Sequence, residues 1–179
     1  MYLSNIIKQK PYEKIEYQLH RHSITFIPIA LLFIVLMAVP IGFYFLITSI
    51  YPILLNNEIY FTLAVLFASI YYLSIYLFVY GYFVDFYLDM WVVTNDRIID
   101  IEQKGLFSRT VSELDLYRIQ DVTVDVKGIF ATMFNYGNVT IKTSSDNTHI
   151  IFQNVSDPND IRQALIALSE HDRKFHHNE

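Results

Sequence analysis

The chain has 179 residues, is 53% hydrophobic and 16% aromatic, carries a formal net charge of −5 and contains no cysteine. Disulfides and thiolate metal sites are therefore excluded, and the acidic balance (pI ≈ 5.6) disfavours nucleic acid as a partner. A mean hydropathy of +0.30 is high for a water-soluble domain, and the excess is concentrated in one region.

Residues 1–23 form a polar arm with Lys8, Lys10, Lys14 and Arg21. His20 and His22 flank Arg21; two histidines at that spacing share a metal only with further ligands, so they read as an interfacial polar pair. From Ser23 to Asn57 there is no Lys, Arg, Asp or Glu, and after Glu58 the next charge is Asp85. A helix needs about 20 apolar residues to cross the hydrocarbon core, so residues 24–84 read as a two-span transmembrane hairpin, with helices near Ile24–Ile50 and Ile59–Phe83. The polar lead is long for a signal-peptide n-region, and the first apolar run exceeds an h-region.

The basic residues precede the first span, and the connecting YPILLNNE has none. The positive-inside rule then places both termini in the cytoplasm and only residues near Tyr51–Glu58 outside. Ala38 and Gly42 are four apart, as are Ala64 and Ala68, a spacing that lets helices approach closely. Pro40 is expected to kink the first helix. Tyr72, Tyr76 and Tyr80 form an i, i+4 stripe for interfacial anchoring, interhelical hydrogen bonds or contact with another protein. Neither span carries an ionisable residue in its middle, which disfavours a transporter.

Residues 85–170 change character. Tyr82, Tyr87 and Trp91 suit an aromatic belt at the interface, and from Trp91 onward the hydrophobic period is two. Val122, Val124 and Val126 alternate with Asp121, Thr123 and Asp125; Val139 and Ile141 repeat the pattern, and THIIFQN continues it. Turn signals fall at Asn95–Asp96, Lys104–Gly105, Tyr117–Arg118 and Asp146–Asn147. A helix then starts at Ser156 or Asp157 with Pro158 in its first turn, and Ile161, Leu165 and Leu168 make its apolar face. The order predicts an α+β domain, a strongly bent antiparallel sheet closed by a helix. Residues 171–179 read as a solvated charged tail.

The succession VTNDRIIDIEQKGLFSRTVSELDLYRIQDVTVDVKGIFATMFNYGNVTIKT resembles the bacterial pleckstrin-homology-like domain of YdbS/YdbT-type membrane proteins. The features that carry the likeness are the TNDRII turn, the KGLFSR hairpin, the L-x-R-I-Q-D-V segment and the KGIFATMFNYGNV connection. The preceding pair of spans is also typical of that family. The resemblance implies a PH-like fold of two bent orthogonal sheets, a partly open barrel with a capping carboxy-terminal helix, and it implies no catalytic residues. Within it, Gly128 and Gly137 let the chain turn into and out of the connection, while Arg118 and Gln120 are expected to hydrogen-bond nearby carbonyls.

The greasy connection GIFATMFNYG has two readings: its Phe residues plug the barrel end, or they meet lipid, the hairpin or a second subunit. A split is expected, with Phe134 as the plug and Phe130 exposed; Phe130, Met133, Phe134 and Tyr136 are the candidate contact residues. No Gly-rich phosphate loop, HExxH or supported Ser/His/Asp pattern occurs, so no enzyme and no cofactor are expected. Phosphoinositide-type recognition in PH folds uses clustered Lys and Arg; Lys104, Arg109 and Lys127 are the candidates here. Residues 85–179 hold nine Lys/Arg and fifteen Asp/Glu, a formal charge of 9 − 15 = −6, which argues against electrostatic recruitment. The leading expectation is a non-enzymatic assembly module at the inner leaflet, binding a protein or its own copies by apolar loop contact and strand addition. The alternative is a lipid-headgroup sensor with weak anionic-lipid contact.

Overall fold

The computed structural model describes residues 9–143 and 149–176. The turn expected at Asp146–Asn147 and the tail beyond residue 176 lie outside the described residues. The chain divides into two compact units: Met1–His22 together with Tyr87–Glu179, and Ser23–Phe86.

The second unit is helical. A short 3-10 turn at Ser23–Phe26 leads into α1 (Ile27–Ile50), followed by a single turn α2 (Pro52–Leu55) and the long α3 (Glu58–Leu88), whose last residues belong to the first unit. Two segments, Ser23–Ile50 and Glu58–Leu88, are long and apolar enough to cross a membrane. Of the described residues on these helices, Ile75 is the one that is buried. Pro40 sits inside α1 and removes the N–H that would bond the carbonyl four residues back, at Leu36. The Tyr71 hydroxyl supplies the missing donor, bonding Leu36 O at 3.0 Å, and the Tyr72 hydroxyl bonds Met37 O at 3.3 Å. Of the tyrosine stripe, Tyr72 thus reaches across to the other helix, whereas Tyr76 and Tyr80 stack on each other at 6.2 Å. The small residues do not mark a tight crossing. A Cβ at Gly42 would meet nothing within 4 Å, and Ala64 and Ala68 line an open apolar groove of about 630 Å³ beside Pro40 and Tyr71.

The first unit is a PH-like α+β fold. One sheet has the order β1-β2-β3-β4, from Ile15–His20, Met90–Thr94, Arg97–Lys104 and Ser108–Asp115. The other has the order β5-β6-β7, from Ile119–Asp125, Tyr136–Thr143 and His149–Ser156. A short helix, α4 (Ile129–Met133), joins β5 to β6, and α5 (Pro158–His176) follows β7. All pairings are antiparallel. The inward residues of both sheets make one core around Trp91, Val93, Leu116, Val139 and Phe152, which Ile161 and Leu165 of α5 close from one side. Two bonds fasten that helix to the strand connection: Asp172 accepts the Tyr117 N–H at 3.1 Å, and Arg173 donates to Ile119 O at 2.8 Å.

Two expectations need correction. Trp91 is not an interfacial belt residue; it is buried, with its ring 5.5 Å from that of Phe152. Its position on β2 points inward, and an indole of that size fills the space between the sheets. The arm is also not separate from the soluble domain. Ile15–His20 pairs with β2 in the register His20↔Met90 to Ile15↔Thr94.

A buried ion pair holds the arm in place. Glu13 is buried, and Arg97 reaches both its oxygens, Nε to Oε1 and Nη2 to Oε2, each at 3.0 Å. Arg97 Nη1 also donates to Glu113 at 2.5 Å, and Lys10 pairs with Asp96 at 2.5 Å. Burial acts to raise the Glu13 pKa, but the bonds from Arg97 and from the Lys10 N–H outweigh it and hold the carboxyl below its ordinary range. A group depressed in this way stabilises the fold above its unfolded pKa, and that stability is lost as pH falls through the folded value. Replacing Arg97 by Leu leaves Glu13 buried and unpaired, a change that costs about 3–5 kcal/mol. Denaturant melts should show this loss at neutral pH and a narrowing gap from wild type in acid, where Glu13 takes up a proton.

Candidate functional site

The point where the chain leaves and rejoins the folded unit is closely tied to it. β1 ends at His20, opposite Met90 at the start of β2. Next to that pair, Arg21 Nη2 lies 2.6 Å from Asp89 Oδ2, and the buried Asp89 accepts the Gln103 N–H on its other oxygen at 2.7 Å. The Gln103 amide donates to Gly105 O at 2.6 Å, so the same cluster fixes the β3–β4 turn. On the other side, the His22 N–H donates to Asn154 O at 2.7 Å, and its imidazole stacks on Tyr136 at 5.3 Å. Tyr136 opens β6, directly after α4.

Both turns held by this cluster are apolar at their tips. At the β3–β4 turn Phe107 is 99% exposed. In α4 and its cap, Ile129 is 84%, Phe130 65%, Met133 63% and Phe134 43% exposed, whereas Ala131 is buried. The expectation that Phe134 plugs the barrel end is therefore corrected. The five-residue helix sets Ala131 against β6, and its larger side chains are left outside. Phe130 is exposed, as expected. Gly128, at φ +105°, makes the turn into α4. Gly137 answers a different need: a Cβ there would lie 2.9 Å from Asp125 O and from Val126 Cγ2, so only glycine lets β6 pass so close to the end of β5.

The remaining candidates are dispersed. Lys104 and Arg109 lie on the β3–β4 hairpin, where Lys104 pairs with Glu102 at 3.1 Å. Lys127 follows β5 in the other sheet and pairs with Asp125. Arg118 is exposed and bonds Asp115 and the Tyr117 hydroxyl rather than a carbonyl; Gln120 is also exposed. The arginine that does bond a strand-connection carbonyl is Arg173. Among the described residues no three His, Asp or Glu side chains converge to hold a metal.

What sequence reasoning missed is the carboxylate cluster beside the crossing point. Asp100 lies opposite Trp91 in the β2–β3 register. Burial, then the charges of Glu102 and Asp89, push its carboxyl up to about 6; the Trp91 indole and the Arg21 charge oppose this only in part. A raised carboxyl disfavours folding once it ionises: stability is full below the unfolded pKa and falls as pH rises toward the folded one. Asp100→Asn should therefore raise the melting temperature near pH 7.5 and change it far less near pH 4, in paired thermal scans.

The exposure of α4 gives a second test. Phe130→Ser should change stability by no more than about 0.5 kcal/mol, as for other surface positions. Phe152→Ala, in the core, should cost about 3–5 kcal/mol. Equal, large losses at both sites would mean that α4 is packed.

A protein of Shewanella loihica PV-4, described as a DUF1696 family protein with a pleckstrin-homology domain, has a solved structure similar to this one. The two share 20% identity over 45% of this chain and 70% of that one, with a TM-score of 0.38, a likeness too low to argue from. No curated protein is similar enough in sequence to count as a relative. The model of the family described as Bacterial PH domain matches residues 23–169, across both apolar helices and the sheets that follow. With that match over well more than half its length, and with two antiparallel sheets and a carboxy-terminal helix behind it, the chain belongs to the bacterial PH domain family.

Proposed function

We propose that the chain is an integral protein of the bacterial inner membrane, of the YdbS/YdbT type, with both termini cytoplasmic. Its PH-like unit is held at the inner leaflet as a non-catalytic docking module for a protein partner, a second copy included. The observation that carries this reading is topological. The apolar hairpin is the connection between β1 and β2, two strands that pair with each other. A domain built around its anchor in this way cannot be released without unpairing its own sheet. The anchor itself is exposed apolar surface along almost its whole length, far beyond the patch a soluble monomer tolerates, and lipid is the solvent that suits it.

PH-like domains are generally non-catalytic, and the partner surface we favour is β4. It is an edge strand of its sheet, and Ser108–Glu113 are exposed on both faces, which suits strand addition by a partner. The headgroup-sensor alternative is weakened because Lys104 and Lys127 are already matched with the chain's own carboxylates.

Two measurements on the full chain test the proposal. A Cys at Asn57 should react with an impermeant maleimide in sealed cells, and one at Glu170 only after lysis; labelling of Glu170 in sealed cells would reverse the orientation. A photo-crosslinking residue at Val111 should give a discrete protein adduct in membranes. Adducts to lipid alone would remove the assembly role and leave only the anchor.

A further inference from the structure

We infer that the PH-like unit carries its own bilayer-docking surface, made of the Leu106–Phe107 tip and the Ile129, Phe130 and Met133 side chains of α4. It is separate from the two apolar helices, and it rests on the membrane reading above. Each element alone is a small exposed apolar patch. They gain meaning from what holds them.

The β3–β4 tip is tied through Gly105, Gln103 and Asp89 to Arg21. α4 is tied through Tyr136 to His22. Arg21 and His22 directly precede Ser23, where one membrane-length segment begins, and Asp89 directly follows Leu88, where the other ends. An extended chain covers at most about 3.3–3.6 Å per residue, so these tether residues lie within a few ångströms of the ends of the apolar segments. The polar zone outside the hydrocarbon core is itself only about 5–8 Å thick on each side. Two apolar tips tied to residues on so short a leash have the hydrocarbon beneath the headgroups as an apolar phase within reach.

The chemistry of the tips indicates which kind of lipid contact this is. Ile, Phe and Met offer apolar area and no headgroup-specific hydrogen bonds. The adjacent cations Lys104 and Lys127 are engaged by Glu102 and Asp125. The contact is thus shallow apolar insertion, of the kind that interfacial elements make, with little dependence on anionic headgroups. The two tips come from different sheets, Leu106–Phe107 from the β3–β4 hairpin and α4 from the β5–β6 connection.

The chain has no cysteine, so single-Cys variants report one site each. Phe107→Cys, Ile129→Cys and Phe130→Cys, each labelled with an environment-sensitive fluorophore, are reconstituted in vesicles of neutral lipid brominated near the headgroup end of the acyl chain. Glu170→Cys, on the exposed side of α5, and Phe45→Cys, in α1, serve as references. The expected result is a blue-shifted emission and quenching several-fold above Glu170 at all three tip sites, unchanged by high salt. Tip sites quenched no more than Glu170, with Phe45 strongly quenched, would overturn the docking surface and leave the anchor standing. Loss of quenching at Phe45 as well would overturn both. Quenching that requires anionic lipid and vanishes in salt would replace apolar insertion by headgroup attraction. Since all three tip residues are exposed, a label there leaves the core untouched, and the unchanged circular dichroism of each variant checks this.

Discussion

Asp89 is a buried carboxylate at the point where the chain returns from its apolar helices, and the architecture turns on how it is satisfied. A charge taken out of water needs both a counter-ion and hydrogen bonds. Here Arg21 supplies the first from the outgoing strand, and the Gln103 N–H supplies the second from β3. One side chain therefore links the residue before the helices, the residue after them and the neighbouring hairpin. The entropy of closing a long insertion grows only slowly with its length, so a whole helical hairpin can be carried between adjacent strands if its two ends are pinned. Arg21–Asp89 and His22–Asn154 are those pins.

The Glu13–Arg97–Glu113 network does the same work at the far end of β1. β1 itself contributes little burial: of its side chains, Leu19 packs partly against the core. Polar clamps at both ends compensate for this weak apolar contact. The helical unit shows a parallel economy of polar groups, since the carbonyl left without a donor by Pro40 is met by a hydroxyl from α3.

Much of the fold was legible because it rests on periodicity. The alternation through Val122 and Val124, the valine and isoleucine of β6 and the apolar face of α5 all lie where the sequence pattern put them. β1 is not legible in this way, although Ile15, Tyr17 and Leu19 alternate with Glu16, Gln18 and His20. Its partner strand lies beyond the helices, and local pattern does not reveal so distant a pairing. The inward position of Trp91 is hidden for a related reason, because composition near a membrane-length segment favours a belt residue while strand parity decides which way the side chain faces. In α4 the sequence showed that the segment was apolar, and it did not show that five residues of helix leave room for only Ala131 inside. The candidate docking residues were thus legible as a group, while their exposure depends on a packing detail.

The insertion of the helices between β1 and β2 also orders events in time. Ile15–His20 is synthesised before both apolar helices, yet its pairing partner, Met90–Thr94, follows them. Until those helices have been made, the strand has no ladder to join, and Glu13 has no Arg97 to meet. Pairings this distant in sequence are slow to form. The first strand is therefore among the last to be fixed, and completion of the sheet becomes a signal that everything between its first two strands is already in place.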